Sequence, residues 1–510
     1  MEQKSLKTQL TINETVFCES VEQPIDADFV LPDYCPEISK ILKCRAVSRI
    51  SSKGINGRTV TVDGTITVTV IYCSEQGRLC SYEYQYPFSK NIETITEYDG
   101  GILFCSTKCE YINCRAVTGR KIDIHGAAAI NVKIVKKKCT EVVSDIDDCN
   151  IELLRGTAPA TTPMGCNEKY LIIEDKIELG QGQNGLCTVV RYDAAPMVKE
   201  CKLLNGKAVV KGEIYFSVFC SGDDCSPQTI RSNLPFSQII EVEGVNENCE
   251  CDAKAEMAYL EIKPQLDPNG EAKALCVNAK VLVGCECYCN NDIDVVYDAF
   301  SRKYQAEIVK NDVAVNKICK KVSEKFNCKK NLEFSDGALA AVADMWCNVK
   351  IENVILTSEN LCVSGTVIAS IIAIDTDEMP SFYEKMIGFE YNCPINLMNT
   401  NLRCDPIITV SSANYTITGS GNMEFRVELS IDAVIYEDIK IPLISEVEIN
   451  EKRPIENKNS GAMTIYFASV GEKVWDIARK YCASVREIKQ INDINSEILE
   501  NDTMILVPMN

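Results

Sequence analysis

The sequence predicts a mainly β protein: three tandem β-sandwich or barrel-like domains, followed by a small α+β module of strand–helix–helix–strand order. Three observations carry this. Apolar residues alternate over long stretches, as Val60, Val62, Ile66, Val68 and Val70 do in TVTVDGTITVTV, the period of a half-buried strand. A glycine falls on that apolar parity in three segments, at Gly64, Gly212 and Gly365, with a phenylalanine 24 residues further on each time, at Phe88, Phe236 and Phe389. After Met463 the period turns helical, with Val474, Ile477, Ala478 and Tyr481 in register.

Taken in order, the first domain opens on the tetrapeptide CRAV at Cys44–Val47, which recurs at Cys114–Val117, 70 residues on. Each is followed by an alternating strand with a glycine on it, Gly64 in the first and Gly126 in IDIHGAAAINVKIV. A glycine there implies a bulge or a close backbone approach. The extra residues of the first interval fall in SRISSKGING, read as a hairpin turn, so one hairpin unit is used twice. At larger scale NGRTVTVDG is echoed by NGKAVVKG, and YPFS by LPFS. The glycines of the three copies are spaced 148 and 153 residues apart. Boundaries follow at 1–155, 156–305 and 306–451. GTAPATTPMG (156–165) and EKRPIENKNSG (451–461) read as linkers, and the polar stretch at 306–326 reads as helical.

The module at 463–510 begins with a strand in MTIYFAS, continues with helices in VWDIARKY and SVREIKQI, and ends with a strand in MILVP. Ser484 is placed to cap the second helix, with Glu487 at the capping-box spacing.

Composition removes several classes of function. With 53 basic against 73 acidic residues and a net charge of −20, nucleic acid is not an expected partner. No stretch approaches the roughly 20 uncharged apolar residues of a membrane helix, and the N-terminus lacks the apolar core of a signal peptide. The chain is expected to stay in the compartment where it is made. Against that stand 28 cysteines, a number that belongs to disulfide-rich secreted proteins. Either the thiols stay reduced, or they bind metal, or they oxidise after the compartment changes.

Catalytic constellations are sparse. GQGQNG (180–185) matches a nucleotide fingerprint but precedes a strand-like segment rather than a helix, which marks a hairpin turn. His125 is the single histidine, so a Ser-His or Cys-His site must use it; its place before Gly126 in a strand reads as structural. No enzyme activity and no cofactor are expected. The cysteines cluster as CEC (Cys249, Cys251) and GCECYC (Cys285, Cys287, Cys289). Alternate strand residues lie roughly 6.6 Å apart, too far for an easy disulfide. A metal would need a further thiolate from another segment, and the C-x-x-C knuckle of zinc sites is absent, so no metal is assigned. These five cysteines are the candidates for intermolecular cross-linking.

In the last segment Tyr466, Gly471, Trp475-Asp476-Ile477-Ala478, Ile491-Asn492 and Ile505-Leu506-Val507-Pro508 resemble a LysM domain. The triple β repeat, with its NG(R/K) and PFS signatures, resembles the SPOCS repeats of clostridial spore-coat proteins. Together they resemble the SipL-type coat morphogenetic proteins of endospore formers. That resemblance implies a non-enzymatic coat scaffold on the mother-cell side of the forespore surface, and later in the coat. It would be tethered through the LysM module to the ATPase of the coat basement layer and would contact other coat proteins. The implied docking residues are Val470, Gly471, Glu472, Lys473, Val474, Trp475, Ile494 and Asn495, with Trp475 as an aromatic anchor. It also implies that the cysteines cross-link once the mother cell lyses into an oxidising exterior. The alternative is a peptidoglycan anchor that binds N-acetylglucosamine. LysM modules that bind glycan use Gly-Asp-Thr in the first loop and a glycine before the last strand; this chain has Gly471-Glu472-Lys473 and Asp502.

Overall fold

Alternation decides the architecture. In the computed structural model, β3 (Thr59–Ser74) buries Val60, Val62, Ile66, Val68 and Val70 on one face, because successive side chains of a strand point to opposite sides. The structure describes residues 5–98, 100–179, 186–222, 227–266, 272–334, 339–376, 378–397, 401–419, 421–455 and 462–508. The GQGQNG segment lies outside these.

β3 is the centre of an antiparallel sheet between β2 (Ile38–Asn56) and β4 (Leu79–Glu93). A second sheet has the order β1 (Ser5–Val30), β6 (Lys121–Ile146), β5 (Ile102–Ala116). Ile66 and Val68 from one sheet meet Ile122, Ile124 and Ile130 from the other in a single core, so this is a sandwich rather than a barrel. The plan recurs. β8 (Leu186–Leu204), β9 (Lys207–Gly222) and β10 (Pro227–Glu241) face β7 (Ile151–Glu178), β12 (Ala272–Ser301) and β11 (Glu250–Leu266). β14 (Ala341–Leu356), β15 (Asn360–Ile374) and β16 (Pro380–Pro394) face β13 (Tyr304–Glu333) and β19 (Asn422–Pro454), with β17 (Leu402–Cys404) and β18 (Ile407–Gly419) on β19.

The glycine–phenylalanine spacing is one packing device used in all three. A Cβ on Gly64 would lie 2.4 Å from the Arg49 carbonyl oxygen and 2.4 Å from the Phe88 ring. The corresponding distances at Gly212 are 2.2 Å to Met197 O and 2.6 Å to Phe236, and at Gly365 2.2 Å to Lys350 O and 2.8 Å to Phe389. Opposite each glycine the partner strand bulges, at Ile50/Ser52, Val198/Glu200 and Ile351/Asn353. The bulge pushes a carbonyl into space that only a missing side chain leaves open.

The two CRAV tetrapeptides are not equivalent points of a repeat. Cys44 lies opposite Val70, past Gly64 along β3, whereas Cys114 lies opposite Ile124, short of Gly126 on β6. They belong to facing sheets, and Cys44 and Cys114 form a disulfide with Cα atoms 5.9 Å apart.

The first and last strands of each sandwich run on past it as two-stranded ribbons, β1/β6, β7/β12 and β13/β19. Each ribbon carries an unpaired extra residue near its tip: Ser144, Tyr297 and Ser445. Counting from these, Val142, Val295 and Leu443 are equivalent, and they share one buried cluster. One position on, Val143, Val296 and Ile444 share the next. Equivalent residues meet at common clusters only if the three ribbons surround one axis, so the chain builds a pseudo-threefold assembly from its own length. At the opposite end Leu42, Val190 and Ala343 form another shared cluster with Ile71, Phe219 and Ile372. All six sit at fixed offsets from the three glycines.

Several local expectations give way to this arrangement. Residues 156–165 are not a linker but part of β7, with Ala158 and Ala160 buried. β7 is an edge strand, where a proline's missing N–H costs no ladder bond, and Pro163 adjoins a bulge. Residues 306–326 are strand, not helix, since Val313 and Val315 are buried two apart. The junctions between sandwiches are the short turns at 147–150 and 302–303, several residues before the expected boundary at 155/156 and just before that at 305/306. SRISSKGIN is strand up to Asn56, and the turn is confined to Gly57 and Arg58. β19 extends through 451–454, and residues 456–461 lie outside those described. The chain ends in β20 (Met463–Ala468), α1 (Val474–Tyr481), α2 (Val485–Ile491) and β21 (Thr503–Pro508), with β20 antiparallel to β21.

Candidate functional site

In the C-terminal module, α1 buries Val474, Ile477 and Ala478 at helical spacing. The Ser484 Oγ accepts a hydrogen bond from the Glu487 N–H at the start of α2. Asn492 ties α2 to β21: its amide donates to Leu506 O, and its Oδ1 accepts from Leu506 N–H, both at 2.8 Å.

The two loops between helices and strands close on each other. The Gly471 N–H donates to Leu499 O at 2.8 Å, Leu499 N–H to Glu472 O at 2.9 Å, and Val474 N–H to Glu497 O at 3.0 Å. The Val470 N–H donates to Asp502 Oδ1 at 2.7 Å. The main-chain groups of this loop are therefore already engaged. Of the eight expected docking residues, Val470, Gly471, Lys473 and Asn495 are exposed, while Glu472 and Ile494 are half-buried. Val474 and Trp475 are buried.

Trp475 is an anchor, but its partner is this chain. Its indole N–H donates to Asp298 Oδ2 at 3.0 Å, and its ring meets Phe300 edge-on at 5.0 Å. Arg479 donates to the same Oδ2 at 2.6 Å, and Lys310 pairs with Oδ1 at 2.7 Å. Burial pushes the Asp298 carboxyl up, but hydrogen bonds from Lys310 and Trp475 and the charges of Lys310 and Arg479 outweigh it, leaving it below the ordinary carboxylate value. Its stabilisation is thus complete above the unfolded value near about pH 4 and is lost as pH falls through the depressed one.

Asp298 and Phe300 escaped the sequence reading, although a signal exists. Positions equivalent to Asp298 carry Asp145 and Glu446, whereas those equivalent to Phe300 carry Asp147 and Glu448. One ribbon of three offers an aromatic beside the acid, and the module sits there. Replacing Asp298 with alanine removes the acceptor of Trp475 and Arg479, costing about 2 kcal/mol of docking energy. In a Trp346→Phe background, the Trp475 fluorescence should shift red and become open to acrylamide. Unchanged quenching would mean that docking does not depend on Asp298.

The cysteine cluster is the second assembly of chemistry. Cys251 on β11 faces Cys287 on β12, and with Cys285 their sulfurs lie within 4.8 Å of one another. β8, in the facing sheet, brings Cys201 Sγ to 2.8 Å from Cys251 Sγ. Beside them Cys249 and Cys289 form a disulfide with Cα atoms 4.5 Å apart. Cys249, Cys285, Cys287 and Cys289 are all buried. The five cysteines expected to cross-link between molecules thus face one another inside the second sandwich in the folded chain, with Cys251 half-buried. Hydrogen bonds from Cys251 and Cys287, with the Asn167 N–H, hold Cys285 below the ordinary thiol value, while contact with Cys201 pushes Cys251 above it. Cys201, in the lone stretch KECKLL, gave no sequence signal.

His125 lies on the exposed face of β6, with Nδ1 2.7 Å from Asp26 and Nε2 3.2 Å from Asp123. Both ring nitrogens are engaged by carboxylates, and the hydrogen bond with Asp26 raises its pKa first. A cleft of about 430 Å³ between the first two sandwiches holds Lys53 and Glu168, which pair with each other at 2.8 Å.

By class, then, this is a single-chain assembly of β-sandwiches around a shared axis, with an α+β module docked on one ribbon. Residues 37–117 and 188–265 match the family model described as SipL, SPOCS domain. The matches cover the same part of two sandwiches, β2–β5 and β8–β11, and support a place in the SipL-type family. No curated protein matches the chain, and no solved structure does.

Proposed function

We propose that this protein is a non-enzymatic scaffold of a spore coat, held at the forespore surface by a C-terminal LysM-like module that docks on the ATPase of the basement layer. The family match carries the reading, since it is consistent with a role in sporulation and coat formation. A pseudo-threefold body offers several outward faces on one chain, and linked weak contacts hold a layer together through effective concentration. Other coat proteins are the partners those faces would meet, first on the mother-cell side and later in the coat.

Docking through protein rather than glycan is favoured by the closed loops, whose main-chain groups are engaged with each other. It is favoured also by an uncovered apolar stripe on the β20–β21 sheet. Ile465 and Phe467 alternate outward on β20, with Met504 opposite Phe467, and Phe467 is 77% exposed. Trp475 acts in this reading by fixing the module to the body, and the partner meets Val470, Lys473, Asn495 and the stripe.

The test is co-sedimentation of the full chain with purified peptidoglycan, alongside a binding titration with the basement-layer ATPase. The expected result is ATPase binding that Ile465→Ser/Phe467→Ser weakens about tenfold or more, an anchor-sized effect. A chain that pellets with peptidoglycan and ignores the ATPase would overturn the proposal in favour of a wall anchor.

A further inference from the structure

We propose that Cys201, Cys251, Cys285 and Cys287 form a four-thiolate site for a tetrahedral divalent metal ion, zinc by preference, inside the second sandwich. No coat function assumes it. Three sulfurs converge from β11, which supplies one, and β12, which supplies two, and β8 in the facing sheet brings a fourth, Cys201, against Cys251. A zinc–sulfur bond of about 2.3 Å places tetrahedral ligands about 3.8 Å apart. The Cys251, Cys285 and Cys287 sulfurs already lie within 4.8 Å of one another, and Cys201 touches Cys251. The alternating pair on β12, which is poorly placed for a disulfide with itself, becomes two legs of one tetrahedron.

Surroundings favour a cation over four neutral thiols. S–H groups make weak hydrogen bonds, and a valine-lined core would fill this space without polar atoms. The Asn167 N–H supports the Cys285 sulfur, as outer-shell donors do around metal thiolates. The near cation, Lys321, is taken up by Asp252 at 2.9 Å and Glu250 at 3.1 Å. Lys321 favours charge on Cys201 but is shared with those two carboxylates, and a divalent ion would balance the remaining thiolate charge. Bound there, it would clasp β8 to β11 and β12 across the core. The competing outcome for the same atoms is a Cys201–Cys251 disulfide, which leaves Cys285 and Cys287 as thiols.

The full chain, purified anaerobically under reductant, should contain about one zinc or iron per molecule by elemental analysis. Metal-free protein titrated with cobalt(II) should develop the intense thiolate charge-transfer and visible bands of a tetrahedral sulfur site. Cys285→Ser/Cys287→Ser should abolish both metal content and bands, while Cys166→Ser, outside the four, should keep them. The wild-type cobalt spectrum decides the matter even if the double variant fails to fold. Wild-type protein that takes up no cobalt and yields a Cys201–Cys251 disulfide peptide overturns the proposal, as does undiminished metal in a folded double variant.

Discussion

Replacing Asp344 with alanine is expected to destabilise the assembly by about 3–5 kcal/mol, the cost of leaving a buried charge without its partner. Arg191 and Asp344 meet where the three sandwiches converge opposite the ribbons, with side chains 2% and 1% exposed. The guanidinium donates to both carboxylate oxygens, at 2.6 and 3.0 Å, and lies 4.9 Å from the centre of the Trp346 ring. Asp193 also accepts from Arg191 and bridges on to Arg45. Burial lowers the Arg191 pKa, but the two aspartates raise it further, so it stays charged. Losing Asp344 leaves the buried Arg191 to share Asp193, whose side chain is 30% exposed, with Arg45. The chain has several domains, so the readout is the midpoint of thermal unfolding together with hydrogen exchange on β8 and β14. Arg191→Met added to Asp344→Ala should recover much of the loss, because a buried ion pair often exchanges for apolar packing at little cost. A single variant that melts within a degree of wild type would show that Asp193 suffices alone.

This pair also bears on why three sandwiches share one chain. Lys43, Arg191 and Asp344 are equivalent by their offset from the three glycines, as are Arg45, Asp193 and Trp346. Three identical subunits would bring three like charges to the axis. Divergence places an acid beside a base instead, and Lys43 pairs outward with Glu384 at 2.6 Å. Joined sandwiches can differ at equivalent positions, and identical ones cannot.

Gly212→Ala should cost about 2–3 kcal/mol, near the upper end for overpacking. The added carbon would sit 2.2 Å from the Met197 carbonyl oxygen and 2.6 Å from two atoms of Phe236. The ring can turn aside; the carbonyl is held in the bulged ladder. Phe236→Leu should therefore relieve part of the strain, and the double variant should remain less stable than Phe236→Leu alone. The comparison is Gly54→Ala, where nothing lies within 4 Å of the new atom and the change should stay within about 0.5 kcal/mol. Denaturant unfolding of the set checks it. Equal losses at Gly212 and Gly54 would remove the close approach as the reason for the spacing.

What the sequence determined by itself was whatever depends on neighbours along the chain. Period-2 alternation around Val60–Val70 specified strands and their buried face, and the constant Gly64–Phe88 interval marked the repeat, whose meaning as a cross-strand contact came from the structure. Ser484 and Glu487 specified a helix start. Proline-rich 156–165 and polar 306–326 misled for the complementary reason. Their local signals describe a loop and a helix, but packing of β7 and β13 against the other ribbons overrides propensity. The tertiary structure alone decided which distant residues share a place. It brought Cys201 to Cys251, set Arg191 on Asp344, and turned Trp475 from a surface anchor into a clasp on Asp298. Each of these joins segments about 50 to 180 residues apart. Such contacts follow from how sheets stack around an axis, and no periodicity within a strand encodes that.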